Sequence, residues 1–153
     1  MKQQFWDLYL LMVIPLVVIG CSGPLGAADT VKSEKIADCP DRPNCVSSEA
    51  QDADHAIAPL RLQGGPVAGW QAIREVVSNL PRCEVIKATD VYLHAECKSR
   101  IFRFVDDLEL RLDPVTGTIA VRSASRIGYS DLGVNRRRVD QLRQTLKDKN
   151  LIH

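Results

Sequence analysis

Two stretches of this chain carry apolar residues at helical spacing, and the segments between them alternate. After Pro66, the residues Trp70, Ile73, Val76, Val77 and Leu80 recur on one face, and Pro81 stops the pattern. The spacing predicts a helix over 66–80. Val139, Leu142 and Leu146 mark the inner face of a second helix over 134–149. Between them, residues 83–88 are short and ambiguous. In 91–97, Val91, Leu93, Ala95 and Cys97 share one face, while Tyr92, His94 and Glu96 share the other. In 102–112, Phe102, Phe104, Leu108, Leu110 and Leu112 face one way, and Arg103, Asp107, Glu109 and Arg111 face the other. Asp113-Pro114-Val115-Thr116-Gly117 signals a turn. Ile119 and Val121 then face inward on 118–126, with Arg122 and Arg126 outward.

The order helix, four strands, helix, with short connections, predicts an α+β fold. It is a two-layer sandwich in which a four-stranded antiparallel meander carries an N-terminal and a C-terminal helix on its one apolar face. One residue conflicts with the alternation. Asp106 has the parity of Phe104 and Leu108, so a regular strand would bury a carboxylate, which is costly without partners. Either a bulge sits at Asp106-Asp107 or donors hold Asp106 inside; the bulge is the expectation.

Upstream, residues 39–65 contain Pro40, Pro43, Pro59 and Gly64-Gly65 and read as a loop-rich lead-in on the domain surface. Residues 22–38 are small, polar and aperiodic, as in a flexible tether. The beginning of the chain suggests what is tethered. Lys2 precedes the apolar run Leu8–Gly20, which is too short to span a hydrocarbon core needing about 20 residues. It has the length of a secretory leader, with small Gly20 at the cleavage position. Val18-Ile19-Gly20-Cys21 resembles the lipobox of bacterial lipoproteins, in which the cysteine is acylated and becomes the mature N-terminus. That resemblance implies a leader over 1–20, a lipidated Cys21, a tether over 21–38 and a single domain over 39–153. One acyl chain binds a membrane only marginally, whereas the diacylglyceryl and amide-linked chains implied by a lipobox would hold it stably. Ser22 follows the cysteine where, by resemblance to enterobacterial rules, an Asp would retain the protein at the inner membrane. The expected place is therefore the cell envelope, facing the periplasm, with the outer membrane favoured where the host has one.

The formal charge of the whole chain is +1. Lys2 and Asp7 leave together with the leader, so the balance stays near neutral and argues against a nucleic-acid partner. Besides Cys21 there are Cys39, Cys45, Cys83 and Cys97, an even set that suggests disulfides in an exported chain. A tight turn near Asp90 would place Cys83 opposite Cys97, and Pro40 and Pro43 favour a compact loop between Cys39 and Cys45. The expected bridges are therefore Cys39–Cys45 and Cys83–Cys97.

Candidate chemistry gathers on the polar sheet face. Pairing Leu112 with Ile119 sets Glu109 opposite Arg122, and pairing Cys97 with Phe102 would set Glu96 opposite Arg103. Tyr92, His94, Glu96, Asp107, Glu109, Arg122 and Arg126 then share one surface. It is either an acid–base or anion-binding face, or a solvated face with cross-strand ion pairs. A second cluster follows the last strand. Ser123 to Gly133 lead into Asn135 and Arg136-Arg137-Arg138 at a helix N-terminus, where free N–H groups favour anions. There, Arg126 and Arg136 hold either an external anion or Asp106 and Asp107, and Asp131 or Asn135 caps the helix. His55, His94 and His153 are scattered, and the Cys39–Cys45 spacing is unlike structural zinc pairs. Ser47 and Ser48 lack an elbow motif and an adjacent base. No cofactor and no metal are expected.

Several strings taken together resemble the "domain of unknown function 1499" family over about residues 39–149. They are Cys39-Pro40-Asp41-Arg42-Pro43-Asn44-Cys45-Val46-Ser47-Ser48, His55 with Pro59-Leu60, Tyr92-Leu93-His94-Ala95-Glu96, Val105-Asp106-Asp107-Leu108-Glu109, and Arg122 through Arg136. The resemblance carries no reaction over. It implies that the matching polar strings are more than solvent filler, which raises the weight on a site near His94, Asp106, Asp107, Arg122, Arg126 and Arg136. Two functions are compatible with this reading. One is a noncatalytic envelope module for an anionic ligand, such as a lipid headgroup or glycan, or for an envelope partner. The other is a hydrolase-like or transferase-like enzyme using His94 with Glu96 or Asp107.

Overall fold

The computed structural model describes residues 34–99 and 103–153. The expected leader over 1–20, the expected lipidation site Cys21, the expected tether up to residue 33, and Phe102 lie outside the described residues. Among those described, the elements are β1 (Cys45–Ser47), β2 (Leu60–Arg61), α1 (Pro66–Ser78), β3 (Cys83–Ala88), β4 (Tyr92–Lys98), β5 (Val105–Asp113), β6 (Thr118–Ser125) and α2 (Val134–Asp148). All the strands join one antiparallel sheet in the order β1-β6-β5-β4-β3, with β2 also on β6. The α+β class and the β3–β6 meander follow the alternation. The strand count does not, because the lead-in adds β1 and β2. At three and two residues they are too short to show a period of two.

Local chemistry sets the element ends. Pro66 opens α1, and Asn79 closes it with its N–H bonded to the carbonyls of Glu75 and Val76, both at 3.2 Å. Gly133 precedes α2 at φ 77°, a left-handed conformation that glycine adopts without cost. The cap comes from Asp131, whose Oδ1 accepts from the Gly133 N–H at 2.9 Å and Oδ2 from the Asn135 N–H at 2.7 Å. At the Asp113 turn, Thr116 Oγ1 donates to Asp113 Oδ2 at 2.8 Å, and Oδ1 accepts from the Val115 N–H at 2.9 Å. That turn fixes Leu112 against Ile119 and Glu109 against Arg122.

The core lies between one sheet face and both helices. Trp70, Ile73 and Val77 from α1 and Val139, Leu142 and Leu146 from α2 pack on Leu93, Ala95, Leu108, Leu110, Ile119 and Val121. Burial of each large aliphatic side chain is worth about 1.5–3 kcal/mol. The Trp70 indole keeps its donor satisfied by giving Nε1–H to the Thr89 carbonyl at 3.1 Å.

Three register expectations need correction. Cys97 pairs with Asp106 and Glu96 with Asp107, rather than with Phe102 and Arg103. Arg103 adopts φ 55°, which interrupts the strand, so β5 begins only at Val105. Phe104 is consequently 47% exposed instead of inside. Finally, no bulge separates Asp106 from Asp107. Both stay in continuous register with β4 and β6, and the sheet irregularity falls in β3 between Val85 and Lys87. Asp106 is therefore buried on the core face.

The opposite face is not fully open either. Glu34 pairs with Lys87 on β3, Ile36 is buried, the Asp38 carbonyl accepts from Arg122 Nη2 on β6 at 3.5 Å, and Cys39 is bridged to Cys45 on β1. Residues 34–39 thus form a strap over that face. Composition assigns 34–38 to the tether, but they are packed against the domain.

Cys39–Cys45 and Cys83–Cys97 are both bonded, at S–S 2.02 Å. The second joins directly opposed residues of the β3–β4 hairpin. Two such bonds fit a domain that folds outside the reducing cytoplasm. No helix among the described residues is long and apolar enough to cross a membrane.

Candidate functional site

Alternation along β4 and β5 aims His94, Glu96 and Asp107 at the strap-side face, and Arg126 reaches them from just beyond β6. Asp107 is the hub. Its carboxylate accepts from His94 Nε2 at 2.7 Å, from Arg126 Nη2 at 2.8 Å and from Arg126 Nε at 3.2 Å. Arg126 Nη2 also reaches Glu96 Oε1 at 2.5 Å. A carboxylate can only accept, so His94 Nε2 is the donor in this contact. Burial raises the Asp107 pKa, but the hydrogen bonds from Arg126 and His94 outweigh it, and the carboxyl titrates below its ordinary range. Hydrogen bonds to Asp107 and then Glu96 push the Arg126 guanidinium further up.

Beside this group, under the strap, Tyr92 OH donates to Glu109 Oε1 and Arg122 Nη1 to Glu109 Oε2, each at 2.7 Å. Burial, followed by the hydrogen bond to Glu109, raises the Tyr92 pKa well above the usual phenol value. The Glu109–Arg122 pair is largely shielded, so its geometry is held by the fold rather than by solvent.

A third network occupies the core side. Arg138 Nη2 donates to Asp106 Oδ2 at 2.5 Å, and its Nη1 donates to Ser123 Oγ at 2.9 Å and Asn135 Oδ1 at 2.6 Å. Asn135 Nδ2 in turn donates to the Asn44 carbonyl and to Ser125 Oγ, both at 3.0 Å. Asp106 is thus held inside by donors, the alternative to a bulge. The donor is Arg138 rather than Arg126 or Arg136. Arg136 points elsewhere, with its Nη2 on the Asp54 carbonyl at 2.8 Å and its Nη1 on the Ala56 carbonyl at 3.3 Å, fastening the lead-in to α2. The signal for Arg138 was present in the helix period, since position 138 adjoins the inward stripe of Asn135, Val139 and Leu142.

The predicted site residues therefore divide. His94, Glu96, Asp107 and Arg126 meet in one group. Tyr92, Glu109 and Arg122 form its neighbour, Asp106 is on the reverse face, and Arg136 is in neither. His55 belongs to the lead-in, with Nδ1 on Asp52 Oδ1 at 2.6 Å and Nε2 on the Arg42 carbonyl at 2.8 Å. The Arg42 carbonyl, and then Asp52, raise its pKa against the effect of burial. The terminal His153 gives its backbone N–H to the Arg61 carbonyl at 3.1 Å. Ser47 Oγ accepts from the Glu49 N–H at 3.1 Å and Ser48 Oγ from the Val121 N–H at 2.9 Å, so both hydroxyls serve the fold. Among the described residues, no group of three or more His, Cys, Asp or Glu side chains could hold a metal ion.

Chemically, the exposed group can orient an imidazole, as a carboxylate does in acid–base catalysis. It is a weak anion trap, because Arg126 already faces two carboxylates. No curated protein matches the chain. The family described as "Protein of unknown function (DUF1499)" matches residues 35–146, and the chain belongs to that family.

Proposed function

We propose that the chain is an exported, lipid-anchored envelope protein whose domain binds an anionic ligand or assembles with an envelope partner and carries out no reaction. One observation carries the choice of binding over catalysis. The polar side chains of the strap-side face are committed to one another, with Glu109 on Tyr92 and Arg122, and Asp107 on His94 and Arg126. Groups fixed this way brace one another across the sheet face. The anchor is supported by Val18-Ile19-Gly20-Cys21 directly after the apolar run, and the two disulfides suit an exported domain. Ser22 after the cysteine favours outer-membrane placement, facing the periplasm. Metabolic labelling with palmitate tests the anchor. The chain should take up label, and Cys21→Ala should abolish it; unchanged labelling of the mutant would overturn the anchor.

The enzyme reading keeps one specific support. His94 Nδ1 makes no hydrogen bond among the described residues, so an imidazole oriented by Asp107 keeps one ring nitrogen unengaged there. A panel of ester and phosphoester substrates decides. Turnover that His94→Ala removes would favour the enzyme, and no turnover by the wild type favours the binding module.

A further inference from the structure

The arginines that sequence marks for an anion are neutralised from within, but a different part of the surface has basic groups without carboxylates. At one end of the sheet a cleft of about 360 Å³ opens between the C-terminal end of α1, the Cys83–Cys97 hairpin and the first turns of α2. Arg82, Lys98, Arg137 and Arg138 line it, and among the described residues no Asp or Glu does. Arg82 and Lys98 are clamped side by side, because the Lys98 N–H donates to the Arg82 carbonyl at 2.9 Å and the disulfide closes the next pair. Neither side chain has an acidic partner among the described residues, whereas Arg138 is taken by Asp106. The cleft also receives the start of α2, but the Asp131 carboxylate caps that helix end, so the positive field of the cleft comes from its side chains rather than from the helix dipole.

The cleft does not end at the charges. Leu80, Pro81 and Thr145 are shared with a second groove of about 620 Å³ running between α1 and α2, where Ala72, Val76 and Leu151 supply apolar wall. A basic mouth leading into an open, partly apolar groove, which Glu75, Asn79 and Lys149 also line, complements a molecule with an anionic head and a hydrocarbon chain. Each volume falls in the range of about 300–1,000 Å³ typical of small-molecule sites.

We propose that this cleft binds a monomeric anionic amphiphile of the phospholipid class. Its phosphate lies against Arg82, Lys98 and Arg137, and its chain follows the groove between the helices. The inference deepens the binding reading above by naming the ligand class and moving the site off the strap-side face. It does not depend on acylation of Cys21.

The test uses the full chain in a non-ionic detergent and reads the melting temperature. Three probes are added separately below their micellar concentrations where one applies: dihexanoyl phosphatidylglycerol, dihexanoyl phosphatidylcholine and inorganic phosphate. Phosphatidylglycerol at ten times its Kd should raise Tm by on the order of 4 °C. Phosphate should raise it less, and phosphatidylcholine should leave it unchanged. The double variant Arg82→Glu/Lys98→Glu should lose the phosphatidylglycerol shift, and so should Arg137→Glu if the first variant proves unstable. Arg61→Glu, the same charge change at an exposed position on β2, should keep it. Equal shifts with both lipids, a phosphate shift as large as that of phosphatidylglycerol, a shift surviving both charge reversals, or no shift with any probe would each overturn the proposal. Palmitate labelling is read independently, so loss of this site and loss of the anchor are told apart.

Discussion

Asp106 and Asp107 are neighbours in one strand, yet they sit in two different chemical worlds. The Asp106 side chain is 4% exposed and meets Arg138, itself 14% exposed, on the helix-covered face. The Asp107 side chain is 21% exposed and meets Arg126, which is 41% exposed, on the other. Strand geometry alone separates them, because successive side chains point to opposite faces. The consequence is energetic. A buried pair has lost its water, so removing one partner strands a charge, whereas an exposed partner is replaced by solvent. The same pairing chemistry therefore specifies the fold on one face and tunes a reachable surface on the other.

The largest effect should come from Arg138→Ala. It leaves Asp106 unpaired against the core and should cost about 3–5 kcal/mol in chemical denaturation. The double change Asp106→Leu/Arg138→Met should recover that loss, since well-packed apolar replacements of buried pairs are often neutral or stabilising by about 1–4 kcal/mol. If Arg138→Ala costs no more than a surface change, the contrast between the two faces fails.

Removing Ile36 asks whether the strap makes the second face partly a core. Ile36→Ala should cost about 2–5 kcal/mol, as for a fully buried aliphatic residue, and should speed hydrogen exchange along the strap-side contacts. A cost near zero would mean that residues 34–38 are not packed against the domain.

Arg126→Ala should cost about 1 kcal/mol or less, the scale of an exposed ion pair. The smallest effect is in pH. Asp107 titrates below its ordinary range, so its contribution to stability is complete above the ordinary carboxylate range and is lost as pH falls through the depressed value. Carboxyl NMR should show the Asp107 midpoint moving upward in Arg126→Ala. A midpoint that stays put would mean that Arg126 does not hold it.

How much of this was legible in the sequence depends on length and period. Both helices announce themselves because α1 and α2 each repeat an apolar face over several turns between clear stops. The β5–β6 register was legible because the Asp113–Gly117 turn leaves little freedom to slip. By contrast, the Cys39–Cys45 bridge beside β1 was legible, but the pairing of β1 with β6 has no local signature. The strap has one apolar residue, Ile36, in a polar stretch, so composition cannot tell it from a tether. Phe104 misled through parity, which presumes an unbroken strand, and Arg103 at positive φ breaks it. For the candidate site, the His94, Glu96, Asp107 and Arg126 group follows from alternation. Arg138 was missed because a basic residue in a first helical turn reads as solvated or ligand-binding unless its inward phase is counted.

The most direct test is a pair of double-mutant cycles, one for Asp106 with Arg138 and one for Asp107 with Arg126, measured by chemical denaturation at neutral pH. Coupling between Asp106 and Arg138 should reach about 3 kcal/mol, the upper end for contacting residues, while coupling between Asp107 and Arg126 should stay near the exposed-pair scale of about 1 kcal/mol or below. Equal couplings, or a stronger one at Asp107, would contradict the division of the two faces into a structural and a reachable network.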